Sequence, residues 1–433
     1  MKLKTVIVIG LVFGLLCGSA ISAFKVGTDG TGQRWGWVNN DDGYITTSSG
    51  KAYPATDAGL RSALSTECTV YLPACNITLT KPLNISKNQH LKGSGMNTSI
   101  LWCYGIKING YYWSVEDLTI GGNTTGNGIT IINANKGYIK NVYTYNHGGS
   151  GIDATGCIEV LFEKVDVKYN GVDGCYMYGH SNANTFIGCT FEANTRSGLH
   201  WSNSAGLALT GCIFEDNRRE GCWLWTTGVG SRGVSISGCY FEDNSAGGSG
   251  SWSDLYIGSS NVNNRMTGVS VSGCFFVGFG ATADAIGLAR GAKGISVSGC
   301  EFQNYNRGVF SAFATPSGIV VTGNYFNNTV SETQFVGAAT RNYTVNNNDG
   351  NTYKGTESYG TCTIAAGGRT VVVNHNLTSA PKIVIVTPIT NLSAGNPAWQ
   401  YSFWTDTYTA TQFTLSLTNK TTPAKYFAWY ARV

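Results

Sequence analysis

Charged side chains that can transfer protons recur at a regular spacing near the middle of the chain. Asp173 and Glu220 hold the same place in two similar segments, VDGCYMY and REGCWLW, and Ser197 holds it in the segment between them. Stacked strands lie roughly 4.8 Å apart, so two steps of such a stack would separate the two carboxyl groups by roughly 9–10 Å. That distance is near the upper end of the range for an inverting glycosidase, in which one carboxyl protonates the leaving oxygen and the other activates water.

Four more polar side chains accompany this pair. Arg196 and Arg219 directly precede the two later positions of the series, and Asp153 and His200 each lie two residues after a glycine that opens a β segment. Arginine can hold the carboxylate of an acidic sugar, or can serve as the base in a uronate lyase. The competing interpretation is that these are solvated charges, because the turns of any repetitive β protein collect Asp, Glu and Arg. The candidate catalytic set is Asp153, Asp173, Arg196, His200, Arg219 and Glu220.

Aromatic side chains recur in the β segments that follow these turns. The residue after each opening glycine is expected to point inward and the next one outward, which gives an outward series of Thr130, Asp153, Tyr176, His200, Trp223, Tyr256, Gly287 and Phe310. A parallel series two residues later contains Tyr178, Ser202 and Trp225. Exposed rings on adjacent rungs form a flat surface on which sugars stack. We therefore expect substrate to bind Tyr176, Tyr178, Trp223, Trp225 and Tyr256. The alternative is that these rings pack beneath long loops such as 245–253.

The segments belong to a longer internal repeat. The stretch GVSVSGCFF at 268–276 is followed by GISVSGCEF at 294–302, and LALTGCIFEDN, GVSISGCYFEDN and GIVVTGNYFNN share the same frame. One position of this frame is filled by Cys189, Cys212, Cys239, Cys274, Cys300 and Asn324, at intervals of 23, 27, 35, 26 and 24 residues. Leu118, Val142 and Val165 extend the column towards the N-terminus. Short alternating β segments without helical periodicity predict a parallel β-solenoid and exclude a doubly wound α/β fold.

The cysteine column has two interpretations. Twelve cysteines would remain after removal of a leader peptide, an even number that suits disulfides in an exported protein. Cysteines stacked in one core column are poorly aimed for bridging, so we expect a mainly unbridged ladder, with Cys68 and Cys75 as the best candidate disulfide. Asn194, Asn217 and Asn244 are expected to form a second ladder that satisfies backbone groups. The sequence has no CxxC motif and five histidines, and we expect neither a metal nor a cofactor.

Residues 57–102 contain an amphipathic segment followed by TVYLPACN, PLNI and LKGSG. This order resembles the N-terminal cap and first coils of the pectin-lyase-like right-handed parallel β-helix superfamily, in which a short helix covers the open end of the solenoid. Cys75 and Asn76 stand where that superfamily usually has glycine. The resemblance covers roughly residues 50–350 and implies the fold. Its members include lyases, hydrolases, epimerases, tailspikes and adhesins that do not catalyse a reaction, so it implies no single activity.

The polygalacturonase branch of this superfamily offers a closer comparison. VDGC at 172–175 is similar to the second half of its DDC-type motif, with Asp173 as the final aspartate. Val172 replaces the first aspartate, HGGSG at 147–151 has no aspartate where an NTDG-type motif needs one, and no RIK motif is present. The chain departs from the polygalacturonase pattern at these positions, which argues against polygalacturonase chemistry.

The expected domain organisation has five parts. Residues 1–23 have a basic start, an apolar run and small residues near Ala20 and Ala23, typical of a secretory signal peptide, although an uncleaved anchor is an alternative. An N-terminal extension follows at 24–56, then the β-helix at 57–350, a linker at 351–359 and an antiparallel β-sandwich at 360–433. The sandwich resembles the C-terminal modules of tail-fibre and H-type-lectin-like proteins, which bind sugars, trimerise or cap a solenoid.

Composition narrows the class of partner. Of 433 residues only 12% are charged, and the formal net charge of +4 falls to +2 without Lys2 and Lys4 of the leader, too little to indicate nucleic-acid binding. No segment after the leader is apolar enough to span a membrane, and nine Asn-X-Ser/Thr sequons permit glycosylation. We expect a secreted or cell-surface protein.

Two functions remain open. One is an exported polysaccharide lyase or glycoside hydrolase working in the groove around residues 153–225. The other is an adhesin or fibre without catalysis, with the solenoid as a spacer, the sandwich as a glycan-binding module and a homotrimer as its assembly. The partner in both is a polysaccharide or glycan.

Overall fold

The structure of the chain is a computed structural model. It describes residues 27–28, 34–35, 43–122, 125–228, 230–244, 253–278, 284–313, 315–329, 331–335, 343–346, 348–350, 357–375, 377, 380–389, 403–409, 411–418 and 424–432. The expected signal peptide at 1–23 lies outside these residues, as does most of the loop 245–253. Within the described ranges, no helix has the length and apolar character needed to cross a bilayer.

The chain enters the solenoid through short strands and one helix. β1 (Gly27–Thr28) pairs with β2 (Arg34–Trp35), and β3 (Tyr44–Thr47) pairs with β4 (Ala52–Pro54), in both cases antiparallel. Helix α1 (Asp57–Thr66) begins at Thr56, whose hydroxyl accepts a hydrogen bond from the Gly59 amide at 3.2 Å. Leu60, Ala63 and Leu64 lie on one face of α1 and are buried in the solenoid core, so the helix covers the end of the solenoid as expected.

The solenoid itself consists of short parallel strands. In chain order they are β5 (Thr69–Tyr71), β6 (Cys75–Thr78), β7 (Leu83–Ile85), β8 (His90–Lys92), β9 (Ser99–Trp102), β10 (Ile106–Tyr111), β11 (Ser114–Gly121), β12 (Ile129–Asn135), β13 (Tyr138–Tyr145), β14 (Ile152–Thr155), β15 (Leu161–Lys168), β16 (Cys175–Tyr178), β17 (Asn184–Ile187), β18 (Thr190–Glu192), β19 (Leu199–Ser202), β20 (Ala205–Thr210) and β21 (Ile213–Glu215).

The later coils repeat the same pattern. They contain β22 (Cys222–Thr226), β23 (Ser231–Ser237), β24 (Tyr240–Glu242), β25 (Ser253–Ser259), β26 (Met266–Ser272), β27 (Phe275–Val277), β28 (Asp284–Leu288), β29 (Ala292–Ser298), β30 (Glu301–Gln303), β31 (Arg307–Ser311), β32 (Ser317–Thr322), β33 (Tyr325–Asn327), β34 (Ser331–Phe335), β35 (Tyr343–Asn346) and β36 (Asp349–Gly350).

These strands form three parallel stacks. Sheet 1 has eleven strands in the order β7, β10, β12, β14, β16, β19, β22, β25, β28, β31 and β34. Sheet 2 runs from β5 through β8, β11, β13, β15, β17, β20, β23, β26, β29 and β32 to β35. Sheet 3 runs from β6 through β9, β11, β13, β15, β18, β21, β24, β27, β30 and β33 to β36. Each coil contributes one segment to each sheet, so side chains at equivalent positions stack in columns.

The bend between sheets 2 and 3 explains the repeated SGC motif. The residue before each column cysteine has a left-handed backbone, with φ of 59° at Gly211 and Gly238 and 60° at Gly299. Such φ values favour glycine because it has no Cβ to clash. The bend therefore favours glycine, although Asp117, Asn141 and Lys164 adopt similar φ values at the same place in earlier coils. The next side chain turns into the core.

The expected core columns are confirmed. Cys189, Cys212, Cys239, Cys274 and Cys300 are each at most 2% exposed, and the register of the adjoining strands stacks them on successive rungs. Leu118, Val142 and Val165 continue this column as predicted. A neighbouring column of stacked phenyl rings includes Phe214, Phe241 and Phe276, with ring centroids 4.8 and 4.6 Å apart.

The asparagine ladder is also present. Asn194 donates through its backbone and side-chain amides to Oδ1 of Asn217, and Asn217 donates in the same way to Asn244, at 2.7–3.2 Å. The ladder begins one coil earlier at Asn170. Among the described residues the twelve cysteines are free thiols, so the Cys68–Cys75 disulfide prediction was wrong. Cys68 is exposed, and Cys75 lies at the start of β6 packed against the core.

The C-terminal part contains two three-stranded antiparallel sheets. Their strands are β37 (Glu357–Ile364), β38 (Thr370–Asn374), β39 (Ile383–Pro388), β40 (Phe403–Asp406), β41 (Gln412–Leu417) and β42 (Lys425–Arg432). One sheet has the order β37, β42 and β39, and the other β38, β41 and β40. The Phe413 ring of one sheet makes an edge-to-face contact with the Trp429 ring of the second sheet, with ring centroids 5.5 Å apart. The two sheets therefore share a core, as in a small sandwich.

Candidate functional site

The outer face of sheet 1 carries the aromatic series that the sequence predicts. Strand pairing aligns Asp153 with Tyr176, Tyr176 with His200, His200 with Trp223 and Trp223 with Tyr256. The rings of Tyr176 and His200 stack at 4.5 Å, and those of His200 and Trp223 stack at 4.0 Å. This continuous row is hereafter called the ring platform.

The second series widens the platform. The Tyr178 ring stacks on Tyr176 at 4.4 Å, and the Trp225 ring stacks on Tyr256 at 5.9 Å with an angle of 15° between the planes. Four of the rings are half-buried, those of Tyr176, Tyr178, Trp223 and Trp225. His200 is only 7% exposed. Each of the four half-buried rings keeps part of its surface exposed, as does Tyr256. The exposed rings lie on β16, β22 and β25, and the nearly buried His200 fills the rung between β16 and β22.

A second column lies at the start of the sheet 1 strands from β12 to β31, buried except at its two ends. The residue two positions before the first inward side chain of the strand is polar in each coil, and strand register places these residues on successive rungs. We call this column the polar ladder. Its members are Asn127, Ser150, Asp173, Ser197, Glu220, Ser253, Asp284 and Arg307.

Hydrogen bonds join the ladder from rung to rung. The Ser150 amide donates to Oδ1 of Asn127 at 2.9 Å, and the Ser197 amide donates to Oδ1 of Asp173 at 3.1 Å. The Ser197 hydroxyl donates to Oε2 of Glu220 at 2.8 Å. Asp173 is 1% exposed and Glu220 is fully buried. The interpretation of these two carboxylates as solvated turn charges is therefore wrong.

Two arginines lie beside the buried carboxylates. Arg196 Nε is 3.7 Å from Oδ1 of Asp173, and Arg219 Nε is 3.7 Å from Oε2 of Glu220. The Arg219 guanidinium also lies 5.0 Å from the centre of the Trp223 ring, close enough for a cation–π contact. Both arginine side chains remain partly exposed, at 38% and 26%. They therefore bring positive charge to the edge of the ring platform.

His200 connects the platform to the polar ladder. Its Nδ1 atom is 3.8 Å from Oδ2 of Asp173. Neither imidazole nitrogen, nor Oδ2 of Asp173, nor Oε1 of Glu220 has a hydrogen-bond partner among the described residues, although all four atoms are buried. Buried polar atoms without partners are costly and uncommon in folded proteins. Four such atoms lie together at this point, where water or a ligand could supply the missing hydrogen bonds.

The surroundings shift the acidity of these groups. Burial lowers the pKa of His200, and the Asp173 carboxylate partly opposes that effect. Burial raises the pKa of Glu220, while the backbone and Arg219 lower it. Burial also raises the pKa of Asp153, whose Oδ2 accepts a hydrogen bond from the Asn127 side chain at 3.0 Å. A neutral imidazole is the form that a general base needs, and a raised pKa favours the protonated carboxyl that a general acid needs.

The predicted site residues divide into two groups. Asp153, Tyr176, His200, Trp223 and Tyr256 share the outward column, with Tyr178 and Trp225 beside them. Asp173 and Glu220 lie in the buried ladder beneath Arg196 and Arg219. Sequence reasoning missed five members of that ladder, among them Asn127 and Ser150. Their position two residues before Ile129 and Ile152 was the signal that would have revealed them.

The described residues contain no cluster of three or more His, Cys, Asp or Glu side chains that could hold a metal ion.

Residues 85–231 match the family model described as "right handed beta helix region". The solenoid is a right-handed parallel β-helix. The match covers the coils that carry the ring platform up to Trp225.

Solved structures show the same fold. The A-module of mannuronan C-5 epimerase AlgE4 from Azotobacter vinelandii is similar to this chain, with a TM-score of 0.52 and 14% sequence identity over 67% of this chain and 95% of that one. The AlgE6 A-module from the same organism has a TM-score of 0.52 and 18% sequence identity, over 68% of this chain and 94% of that one. The N-terminal fragment of gene product 12 of bacteriophage Phi29 has a TM-score of 0.51 and 14% sequence identity, over 68% of this chain and 63% of that one. No curated protein matches the sequence. Identities this low establish similarity of fold alone.

Proposed function

We propose that this β-helix binds a polysaccharide along the outer face of sheet 1 and acts on it as a lyase or glycosidase. The observation that carries the proposal is the continuous ring platform from Tyr178 to Tyr256, which directly adjoins buried ionisable groups without hydrogen-bond partners. An extended row of half-exposed rings fits the repeating, weakly polar faces of a sugar chain. The mannuronan epimerase modules, which share the fold, are named for a polysaccharide substrate.

Among the two reactions, the geometry favours the lyase type. Proton transfer to a glycosidic oxygen requires a carboxyl group within hydrogen-bond reach of substrate, and both Asp173 and Glu220 lie beneath the surface. Arg196 and Arg219 can neutralise the carboxylate of a uronic acid, which makes the adjacent carbon–hydrogen bond more acidic. His200, with Tyr176 and Asp153 beside it, takes or returns that proton once ligand binding shifts its imidazole, because both ring nitrogens are buried in the free protein.

In this arrangement Asp173 and Glu220 act through their neighbours. Asp173 orients the His200 imidazole and stabilises its protonated form, while Glu220 holds Arg219 over the Trp223 ring. The glycosidase alternative keeps Asp173 and Glu220 as acid and base. It requires the turns at 172–173 and 218–220 to move so that the carboxyl groups meet substrate.

A binding protein without catalysis is the second candidate function. The burial of Asp173 and Glu220 in a hydrogen-bonded ladder favours it, since a ladder of this kind also stabilises the β-helix on its own. In that case the ring platform, the C-terminal sandwich or both would bind glycan. We place either function outside the cell or at a surface, as the leader at 1–23 predicts, with a homotrimer as the proposed assembly.

Incubation of the full chain with a panel of neutral and acidic polysaccharides tests the proposal. The release of reducing ends together with absorbance from an unsaturated product indicates a lyase, and reducing ends without that absorbance indicate a hydrolase. Binding without product on any member of the panel supports the adhesin. The absence of both binding and turnover across the panel would overturn the proposed function.

A further inference from the structure

A second concave site lies away from the ring platform, at the corner where the chain leaves sheet 1 and enters sheet 2. The cavity has a volume of about 320 Å³ and is lined by residues of three successive coils, among them Asn263, Arg265, Lys293, Thr315 and Ser317. This volume is at the lower end of the range for small-molecule sites. The cavity is therefore large enough for a small ionic group and its immediate attachment.

The register of sheet 2 brings two cations to this corner. Lys293 is aligned with Thr267 on one side and with Ser317 on the other. Arg265 directly precedes Met266, which is aligned with Ala292, so Arg265 and Lys293 come from adjacent coils whose backbones are about 4.8 Å apart. Within the described part of the chain, neither cation forms an ion pair with a carboxylate. Both side chains are exposed, so solvent screens their mutual repulsion, but two cations without a carboxylate partner on neighbouring rungs attract an anion to this corner.

The cavity wall also contains an unused hydrogen-bonding group. Thr315 Oγ1 is buried and has no hydrogen-bond partner among the described residues. A buried hydroxyl without a partner loses its hydration with no compensating bond. Together with the two cations, this hydroxyl points to a ligand that accepts hydrogen bonds and carries negative charge.

A glycine fixes the shape of the cavity. Gly291 has φ of 72°, and a Cβ at this position would lie 2.3 Å from the Ser259 hydroxyl and 2.5 Å from the Asn264 carbonyl. The loop that supplies Asn263 can therefore lie directly against the coil that supplies Lys293. Asn261 holds the same loop by accepting hydrogen bonds from the amides of Asn263 and Asn264 at 2.8 and 3.0 Å. The wall is thus built by close packing rather than by an exposed loop alone.

From these observations we infer that the cavity formed by Arg265, Lys293 and Thr315 is an anion-binding subsite, which takes a carboxylate or sulfate substituent of a glycan. That the anion is carried by a glycan rests on the proposed function; the anion site itself does not. Trp225 of the ring platform is aligned with Gly258, only a few residues before this corner in the same coil. A chain bound along the platform would present its charged substituents to the cavity, and acidic polysaccharides would be selected over neutral ones.

The first test uses inorganic sulfate, which needs no glycan. Sulfate should raise the melting temperature of the full chain more than chloride does at equal ionic strength, because a ligand that binds the native state stabilises it. Sulfate also stabilises folded proteins in general, because it is excluded from their surfaces. Arg265→Met and Lys293→Met should therefore each reduce the difference between the two salts without removing it, while leaving the melting temperature in chloride unchanged. Arg232→Met is the matched control, because Arg232 lies in the same column as Lys293 but does not line the cavity.

The second test compares tetrasaccharides of equal length that are neutral, carboxylated or sulfated. The parent should bind one of the charged forms at least about tenfold more tightly than the neutral form, and Lys293→Met should remove that preference without weakening neutral binding. The two charged arms identify which anion is bound. Loss of all glycan binding with the sulfate response intact would contradict the proposed function and leave the anion site in place. An equal sulfate response in the parent and both cavity variants, or an equal loss in Arg232→Met, would overturn the inference.

Discussion

Nδ1 of His200 and Oδ2 of Asp173 face each other at 3.8 Å, and both atoms are buried without a hydrogen-bond partner among the described residues. This pair links the outward ring platform to the buried polar ladder. The distance is too long for a hydrogen bond but short enough for strong electrostatic coupling. Ligand binding that shifts the imidazole slightly would close the contact and fix which nitrogen carries the proton.

The first prediction concerns this coupling. Asp173→Asn should lower the pKa of His200, because the Asp173 carboxylate favours the protonated imidazole against the effect of burial. NMR titration of ¹³Cε1-labelled histidine, assigned with a His200→Gln variant, measures the change. Arg196→Met is the control of opposite sign, since Arg196 lowers the same pKa. An unchanged or raised pKa in Asp173→Asn would contradict the proposed role of Asp173.

The second prediction concerns the ring platform. Trp223→Ala should weaken binding of the recognised glycan by about 1–3 kcal/mol, because the substitution removes the largest stacking surface next to His200. Calorimetric titration with an oligosaccharide measures the loss. Trp102 is exposed at 39% outside sheet 1, so Trp102→Ala is the matched control and should bind as the parent does. Equal losses in both variants would mean that sheet 1 is not the binding face.

The third prediction separates the two candidate functions. Glu220→Gln keeps the shape of the side chain and an acceptor for the Ser197 hydroxyl but removes the charge beside Arg219. An enzyme should lose its turnover while retaining nearly all of its glycan affinity. An adhesin should respond to Trp223→Ala alone. Steady-state rates and binding constants measured on the same substrate distinguish the enzyme from the adhesin. Full turnover in Glu220→Gln would exclude both catalytic roles considered for Glu220.

The fourth prediction tests the core column. Cys239→Asp should destabilise the β-helix by at least about 4 kcal/mol, because it places an unpaired charge at a position that is 1% exposed. Cys239→Ala, which removes only the sulfur, should cost far less. Urea denaturation of the parent and both variants gives the comparison. Similar stability of Cys239→Asp and the parent would require this column to face solvent.

The fifth prediction concerns pH. Burial raises the pKa of Asp254 from 3.8 to about 7, although the carboxyl accepts hydrogen bonds from the Asn244 amide and the Tyr305 hydroxyl. An acid that holds its proton more tightly when folded makes the protein less stable as the pH rises from 3.8 towards 7. Asp254→Asn removes this dependence. Relative to the parent, its free energy of unfolding should increase by about 2–4 kcal/mol between pH 4 and pH 7.5.

Urea denaturation at several pH values measures that difference. The comparison with the parent is necessary because His147, whose pKa burial lowers to about 4, has the opposite effect and destabilises the fold as the pH falls below 6.5. His147 is present in both proteins and cancels in the difference. A difference that stays constant with pH would show that Asp254 is ionised in the folded protein at all the values tested.

The sequence by itself determined the columns. Because each coil repeats the same frame, counting residues from Cys189 to Cys300 or from Asp153 to Tyr256 correctly predicted which side chains stack and which of them point outward. The repeated glycine before each column cysteine also follows from a local preference, the left-handed bend at positions such as Gly211. Periodicity and backbone sterics act along the chain, so both can be read from it.

Only the tertiary structure decided the environment of each column. The carboxylates of Asp173 and Glu220 look like solvated turn charges in the sequence, but the turn folds them under the arginines and into a hydrogen-bonded ladder with Ser197. Cys68 and Cys75 flank one strand in the sequence, yet the structure leaves both as free thiols. The anion cavity combines side chains more than fifty residues apart, from Arg265 to Ser317. Burial and distance depend on how adjacent coils pack, and no pattern within a single coil contains that information.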